Sequence, residues 1–288
     1  MVAELESKVE AFDTDEWWAR HGSVATPLKL QSRKITRPES SHFHNAYAGF
    51  PYAWQLTETV DDFLGRLPPA TTEGSKAGPW IFICNPFIER RSKQEAQNQN
   101  VRGCEDEAPE EDETDLHRFI EGGMERLHLV TDFHGEMNKS TVSPAVRGRE
   151  RNKAAADATR DILALAHALH VRTGKWMLFC DVHAVNEVWG IVAKATANNE
   201  LGIAAKVATR SELDPRTERL ICVYTTDFID RSDVERVARK LKQLGLVKAY
   251  GKPLYYKPDA YTYLGIGSGN PWGFKASIYN TKELLGRT

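Results

Sequence analysis

Lys175, Lys206, Arg210, Lys252 and Lys257 lie in or beside short apolar runs in the second half of the chain, near Tyr255, Tyr261 and Trp272. Lysine and arginine take phosphates through charge-assisted hydrogen bonds, and aromatic rings stack on bases. A surface mixing the two can hold single-stranded nucleic acid or a nucleotide. The same residues have a plainer explanation. Tyrosine favours a half-buried pleat, and lysines beside it are commonly just solvated. Residue types alone leave both explanations open, so the elements that carry these side chains must separate them.

Other chemistries find less support. His42 and His44 flank Phe43 and could place two ligands on one strand face, while Asp132/His134 and Asp181/His183 could act as acid–base pairs. None of these has a third partner at a required spacing. The GxSxG, HExxH and Walker motifs are absent, so no catalytic residue is expected and the chain reads as a non-enzyme. The glycine-rich stretch from Gly265 to Gly273 contains Pro271 and leads into FKASIY. A phosphate cradle should instead open a helix, so this stretch reads as a hairpin loop. Cys84, Cys104, Cys180 and Cys222 form no CxxC pair, and all but Cys104 sit in apolar runs. They read as buried thiols in a reducing, intracellular compartment, cytoplasmic or nuclear, with no metal and no cofactor expected. Arg147, Arg149, Arg151 and Lys153 make a basic stripe that reads as a solvated helix face.

The elements that must position these residues can be read from periodicity. The chain has 288 residues, 41% hydrophobic and 27% charged. That suits one large domain or two ordinary ones, with a core that needs no staples. No apolar run reaches the roughly 18 residues of a membrane span, and the acidic start lacks a signal-peptide stretch. Residues 12–56 carry aromatics without clean periodicity. TETVDDFLGRL reads as a helix stopped by Pro68, residues 68–78 as a loop, and WIFIC as a buried strand. The run EDEAPEEDETD (105–115) is acidic at eight of eleven positions. Such a run usually repels itself into a solvated loop; the sharper alternative is a tether competing for a basic surface on the same chain. Leu116, Phe119, Ile120, Met124, Leu127 and Val130 recur at helical spacing, which Gly122-Gly123 weakens. Residues 135–148 read as a loop, followed by an Ala-rich helix through His170.

Beyond Gly174 the pattern sharpens. KWMLFC is a strand, and Val185, Val188, Trp189 and Val192 form a helical stripe. LGIAAKVAT and RLICVYT are strands whose link is too short for a crossover helix, so they pair antiparallel. A helix follows, with Ser232 and Glu235 as a capping box and Gly245 as its stop. PLYYKP, YTYLGI and FKASIY read as three more strands. The expected architecture is α+β: a curved, mostly antiparallel sheet with long helices packed on one face and the other face free to bind.

The order GKWMLF, ATANNELGIAAKVAT, LICVYT and YYKPDAYTYLGI, with GPWIFICNP upstream, resembles the basophilic-leukaemia-expressed-protein family. The resemblance covers about residues 78–86 and 150–285. That family is similar in fold to the mRNA cap-binding translation initiation factor 4E, which implies a factor-4E-like domain at 78–288. It also implies a polar, acidic insertion at about 89–149, and an extension at 1–77 that wraps the core. By this resemblance Gly174-Lys175-Trp176 stands where the factor has a Gly-Arg-Trp strand start, so Lys175 matches a phosphate-side Arg. The factor's strand Arg falls at Ala208, with Lys206 pointing to the same face. The cap sandwich does not carry over, because ALHVRTGKW holds neither the Trp nor the Glu it needs.

Two functions from different classes follow. One is RNA or nucleotide binding on the sheet face through the eight residues named at the outset. The alternative is a protein-interaction module that docks partners on the helical face, using the charged side of the 232–244 helix and the acidic run. The net charge of −2 does not choose between them. Residues 171–288 hold 18 Lys+Arg against 12 Asp+Glu, a net of +6, while residues 1–170 hold 20 against 28, a net of −8.

Overall fold

The computed structural model describes residues 43–93, 106–210, 218–247 and 251–286. Six strands, β1 (Trp80–Cys84), β2 (Gly174–Asp181), β3 (Ala204–Ala208), β4 (Glu218–Thr225), β5 (Tyr255–Pro258) and β6 (Tyr279–Asn280), form one sheet in the order β1-β3-β4-β2-β5-β6. Every pairing is antiparallel. Among the described residues eight helices accompany them: α1 (Val60–Arg66), α2 (Gly74–Ala77), α3 (Leu116–Lys139), α4 (Pro144–Ala168), α5 (Val185–Ala197), α6 (Arg231–Gln243), α7 (Asp259–Tyr263) and α8 (Thr281–Leu284). The fold is α+β, and Phe43–Thr288 forms one compact unit.

Strand alternation sorts the sheet residues onto two faces. Ile81, Ile83, Trp176, Leu178, Ala205, Val207, Ile221, Val223 and Tyr256 point to the helical side, where the main core sits. There Val185, Trp189 and Val192 of α5 and Val234, Val237 and Leu241 of α6 are buried against them. Trp189 also meets Phe63 of α1 edge-on at 6.4 Å. Burial of each such side chain stabilises the fold by about 1.5–3 kcal/mol.

Several expectations change in this frame. The loop expected at 135–148 shrinks to residues 140–143, because α3 runs on to Lys139 and Ser143 caps α4 through Val146 N–H. Pro144 falls in the first turn of α4, where a missing N–H costs nothing. Gly122-Gly123 does not interrupt α3. A Cβ at Gly123 would lie 2.7 Å from a Leu264 methyl, and one at Gly122 would lie 2.9 Å from a Leu165 methyl. The pair lets α3 seat closely against α4 and the segment after α7. The Ser232/Glu235 capping box does not form. Asp230 is the N-cap instead, accepting from Ser232 N and Asp233 N, while Glu235 pairs with Arg239. YTYLGI is not a strand: Pro258 closes β5 and the chain turns into α7. Local context here overrides the strand preference of tyrosine. FKASIY contributes to the sheet only through Tyr279.

The face opposite the helices is only partly free. Phe82, Cys84, Ala204, Cys222 and Tyr224 form a second apolar cluster with Tyr47, Ala53, Ala108 and Ile203. Residues 43–54 and 106–110 therefore cover the β1-β3-β4 part of that face. The β2-β5 part remains open, with Phe179 56% and Tyr255 46% exposed.

Candidate functional site

The pairing registers lay two rows of side chains across this second face. One runs Phe82, Lys206, Cys222, Met177, Tyr255. The next runs Cys84, Ala204, Tyr224, Lys175, Lys257. Three of the expected cations, Lys206, Lys175 and Lys257, thus share one face, held there by strands that fix their Cα positions.

Lys175 and Lys206 are not exposed. Both are buried, and a carboxylate from the acidic run lies between them. Glu107 Oε2 accepts from Lys175 Nζ and from Tyr224 OH, the latter at 2.8 Å. Glu107 Oε1 accepts from Lys206 Nζ at 3.2 Å, and the same ammonium donates to the Asp106 carbonyl. On its other side Lys175 lies 2.8 Å from Asp259 Oδ1 and donates to Thr262 Oγ1 at 3.1 Å. Asp259 Oδ2 accepts from Thr173 Oγ1 at 2.6 Å. The Lys206 ammonium also stands 3.9 Å over the Trp80 ring centroid, a cation–π contact strengthened by the dry surroundings.

The electrostatics follow from this crowding. Burial alone would raise the Glu107 pKa, but the charges of Lys175 and Lys206, with hydrogen bonds from Lys175 and Tyr224, win and hold it at about 2. Burial would lower Lys175, yet Asp259 and Glu107 together push it well above the ordinary lysine range. Burial dominates at Asp259, whose pKa is raised despite Lys175. Lys257 stands directly across the pair from Lys175 and has no ion-pair or hydrogen-bond partner among the described residues. Burial, then repulsion from Lys175, lowers its pKa. Among the described residues the cluster therefore holds three ammonium groups against two carboxylates.

The other expected site residues are elsewhere. Tyr261 lies on α7, fully buried in the helical-side core, because the expected strand is a helix. Trp272 sits in the loop beyond α7 and donates from Nε1 to Thr131 of α3 at 3.0 Å. Arg210 lies two residues beyond β3, exposed and β-bridged through its backbone to Glu73, and Lys252 is exposed in the segment before β5. Neither joins the lysine cluster. His42 lies outside the described residues, and Asp181 accepts from the His183 backbone N–H in a turn rather than from its ring. His134 faces Arg151 instead of Asp132. Among the described residues no three His, Cys, Asp or Glu side chains converge as metal ligands. Burial raises the thiols of Cys84 to about 12 and of Cys222 to about 11, which makes both poor nucleophiles.

Reasoning from sequence missed Glu107, Tyr224, Asp259 and Phe179. The apolar break Ala108-Pro109 inside the acidic run was the available signal, since Glu107 to Glu110 are all buried. For Phe179, counting by twos from Lys175 places it on the same face. Among the described residues no helix is long and apolar enough to cross a membrane. The family model described as basophilic leukemia-expressed protein Bles03 matches residues 5–265. The chain belongs to that family.

Proposed function

We propose that this protein is a non-enzymatic RNA- or nucleotide-binding protein whose ligand lies on the open β2-β5 part of the sheet face. One observation supports this above others: two exposed rings, Phe179 and Tyr255, lie on the same face as Lys257, whose ammonium has no partner among the described residues. Rings of this kind stack on bases of any sequence, and a lysine beside them takes the adjoining phosphate. The resemblance of the second half to initiation factor 4E points the same way by analogy, with a different ring arrangement from the cap sandwich. Docking of protein on the helical face has less to draw on. The cations Arg236, Arg239 and Lys240 of α6 already meet Asp233, Glu235 and Glu200.

Fluorescence anisotropy with labelled oligouridylate at low salt tests this reading. Binding should fall steeply as salt rises, because phosphate contacts release counterions. Tyr255→Ala and Phe179→Ala should each weaken it by about tenfold, the scale of a lost base–ring stack. Lys257→Glu should weaken it and flatten the salt dependence. Absence of binding at low salt, or binding indifferent to all three substitutions, refutes the reading.

A further inference from the structure

We infer that the acidic segment at 106–109 is an intramolecular competitor: Glu107 occupies an anion socket on the sheet face that a ligand phosphate takes when the segment withdraws. This rests on the binding role proposed above and adds its regulation.

The socket is built without Glu107. Lys206 comes from β3, Tyr224 from β4 and Lys175 from β2, three strands that are consecutive neighbours in the sheet. Ladder hydrogen bonds fix their spacing whatever lies above them. The anion comes from a stretch that is neither helix nor strand, 68 residues from Lys175 and 99 from Lys206 along the chain. Scaffold and occupant are thus separable.

The donors are distributed as a phosphate would use them. One carboxylate oxygen takes Lys206, and the other takes Lys175 and Tyr224. A phosphate offers a further oxygen, and an unused donor is at hand. Tyr47 stacks on Phe82, the row neighbour of Lys206, and its buried hydroxyl lacks a partner among the described residues. That hydroxyl is near enough to feel the Glu107 charge. Charge supports the same point, because among the described residues Lys257 leaves the cluster one cation in excess.

Burying these charges is a poor way to stabilise a core. Apolar side chains of the same volume serve as well or better, because both ions must be stripped of water. The segment is pinned just beyond Pro109, where the Glu110 carbonyl accepts from Arg91 N at 3.1 Å and Glu111 meets Arg90 at 3.4 Å and Arg172 at 3.6 Å. That anchor lets 106–109 leave the socket while staying tethered beside it, so ligand must compete with a group at high effective concentration. The apparent affinity of the closed protein is then reduced by the fraction of time the socket is empty.

The test uses the full-length chain and its Glu107→Gln variant, with pyrophosphate and oligouridylate as separate probes. Glu107→Gln should bind pyrophosphate at least tenfold more tightly than the parent by calorimetry, and its melting temperature should climb with added pyrophosphate while the parent's barely moves. Oligouridylate binding should also tighten and become steeper in salt. A folded Glu107→Gln chain that responds to pyrophosphate no more than the parent does overturns the inference, and Glu107 is then a structural ion pair. Should that variant not fold, hydrogen exchange of the parent chain decides. Saturating pyrophosphate must speed exchange across 106–109, and unchanged exchange overturns the inference. Failure of the binding role is seen separately, as pyrophosphate binding to Glu107→Gln without any Tyr255-dependent binding of oligouridylate.

Discussion

Replacing Lys175 with methionine removes the ammonium that pairs with both Glu107 and Asp259. Methionine keeps much of the volume and an unbranched shape, so packing changes little. What remains is Glu107 held by Lys206 at 3.2 Å and Tyr224 at 2.8 Å, and Asp259 held by the Thr173 hydroxyl at 2.6 Å. Deserting one partner of a buried pair costs about 3–5 kcal/mol, because the other charge stays dehydrated. The comparison is Lys240→Met, which breaks an exposed pair with Glu200 and should cost less than about 1 kcal/mol. Urea denaturation of both variants measures the difference. The loss should also depend on pH in a definite direction. Burial already raises the Asp259 pKa above its unfolded value, and losing Lys175 raises it further. A group raised in the folded state destabilises while ionised, and that penalty fades as it is protonated. The cost of Lys175→Met should therefore shrink as pH falls from neutrality toward the ordinary aspartate value of 3.8. A loss below about 1 kcal/mol that stays constant over this range would mean that Lys175 is solvated like Lys240, and the buried-socket argument would fail.

Three further outcomes are expected. Asp230→Ala should cost about 1 kcal/mol in urea denaturation by stripping the α6 cap, whereas Ser232→Ala, inside the helix, should cost less than about half of that; equal losses would restore the Ser232 box. Glu107 is depressed from its ordinary 4.5 to about 2. Its share of stability is therefore complete above pH 4.5 and lost as pH falls toward 2, an effect of about 3 kcal/mol that the raised Asp259 partly offsets. Urea midpoints recorded from about pH 6 to about pH 2.5 should fall in that window for the parent chain and fall less for Glu107→Gln. Trp189→Ala should cost about 3–5 kcal/mol, since the ring is fully buried between α1 and the sheet; calorimetric melting with a shift of only a degree or two would place that ring at the surface.

What could be read from sequence was whatever depends on near neighbours. WIFIC, KWMLFC, LGIAAKVAT and RLICVYT announce strands because apolar residues crowd a short span, and the link between the last two is too short for anything but an antiparallel return. The stripe of α6 at Val234, Val237 and Leu241 is equally local. Failures arose where a distant partner decides the outcome. Gly122-Gly123 looks like a weak point until Leu264 and Leu165 are known to lie against it. YTYLGI has a strand composition, and only its position after Pro258 and beneath Thr173, whose carbonyl accepts from Asp259 N at 2.9 Å, makes it a helical turn.

The acidic run is the clearest case, and it bears directly on the proposed function. A rule that counts like charges predicts mutual repulsion and a solvated loop, because it knows the charge of each residue but not what faces it. Alternation along β2 and β3 does place Lys175 and Lys206 on one face. Nothing in the spacing of residues 105–115 says that Glu107 will stand between them. Yet the opposite charge of the two parts, −8 before residue 171 and +6 after it, is the long-range counterpart of that contact. Only a small share of that imbalance meets in the socket: two lysines from the basic part and one glutamate from the acidic part, beside a local Asp259. The remaining cation on this face, Lys257, is neutralised by no partner among the described residues, and it stands where the face opens beside Tyr255. A chain that only needed to hide its acidic run could have matched every cation with a carboxylate. Lys257, unmatched among the described residues, is therefore the feature on which the proposed binding of an outside anion turns, and Lys257→Glu is its most direct test.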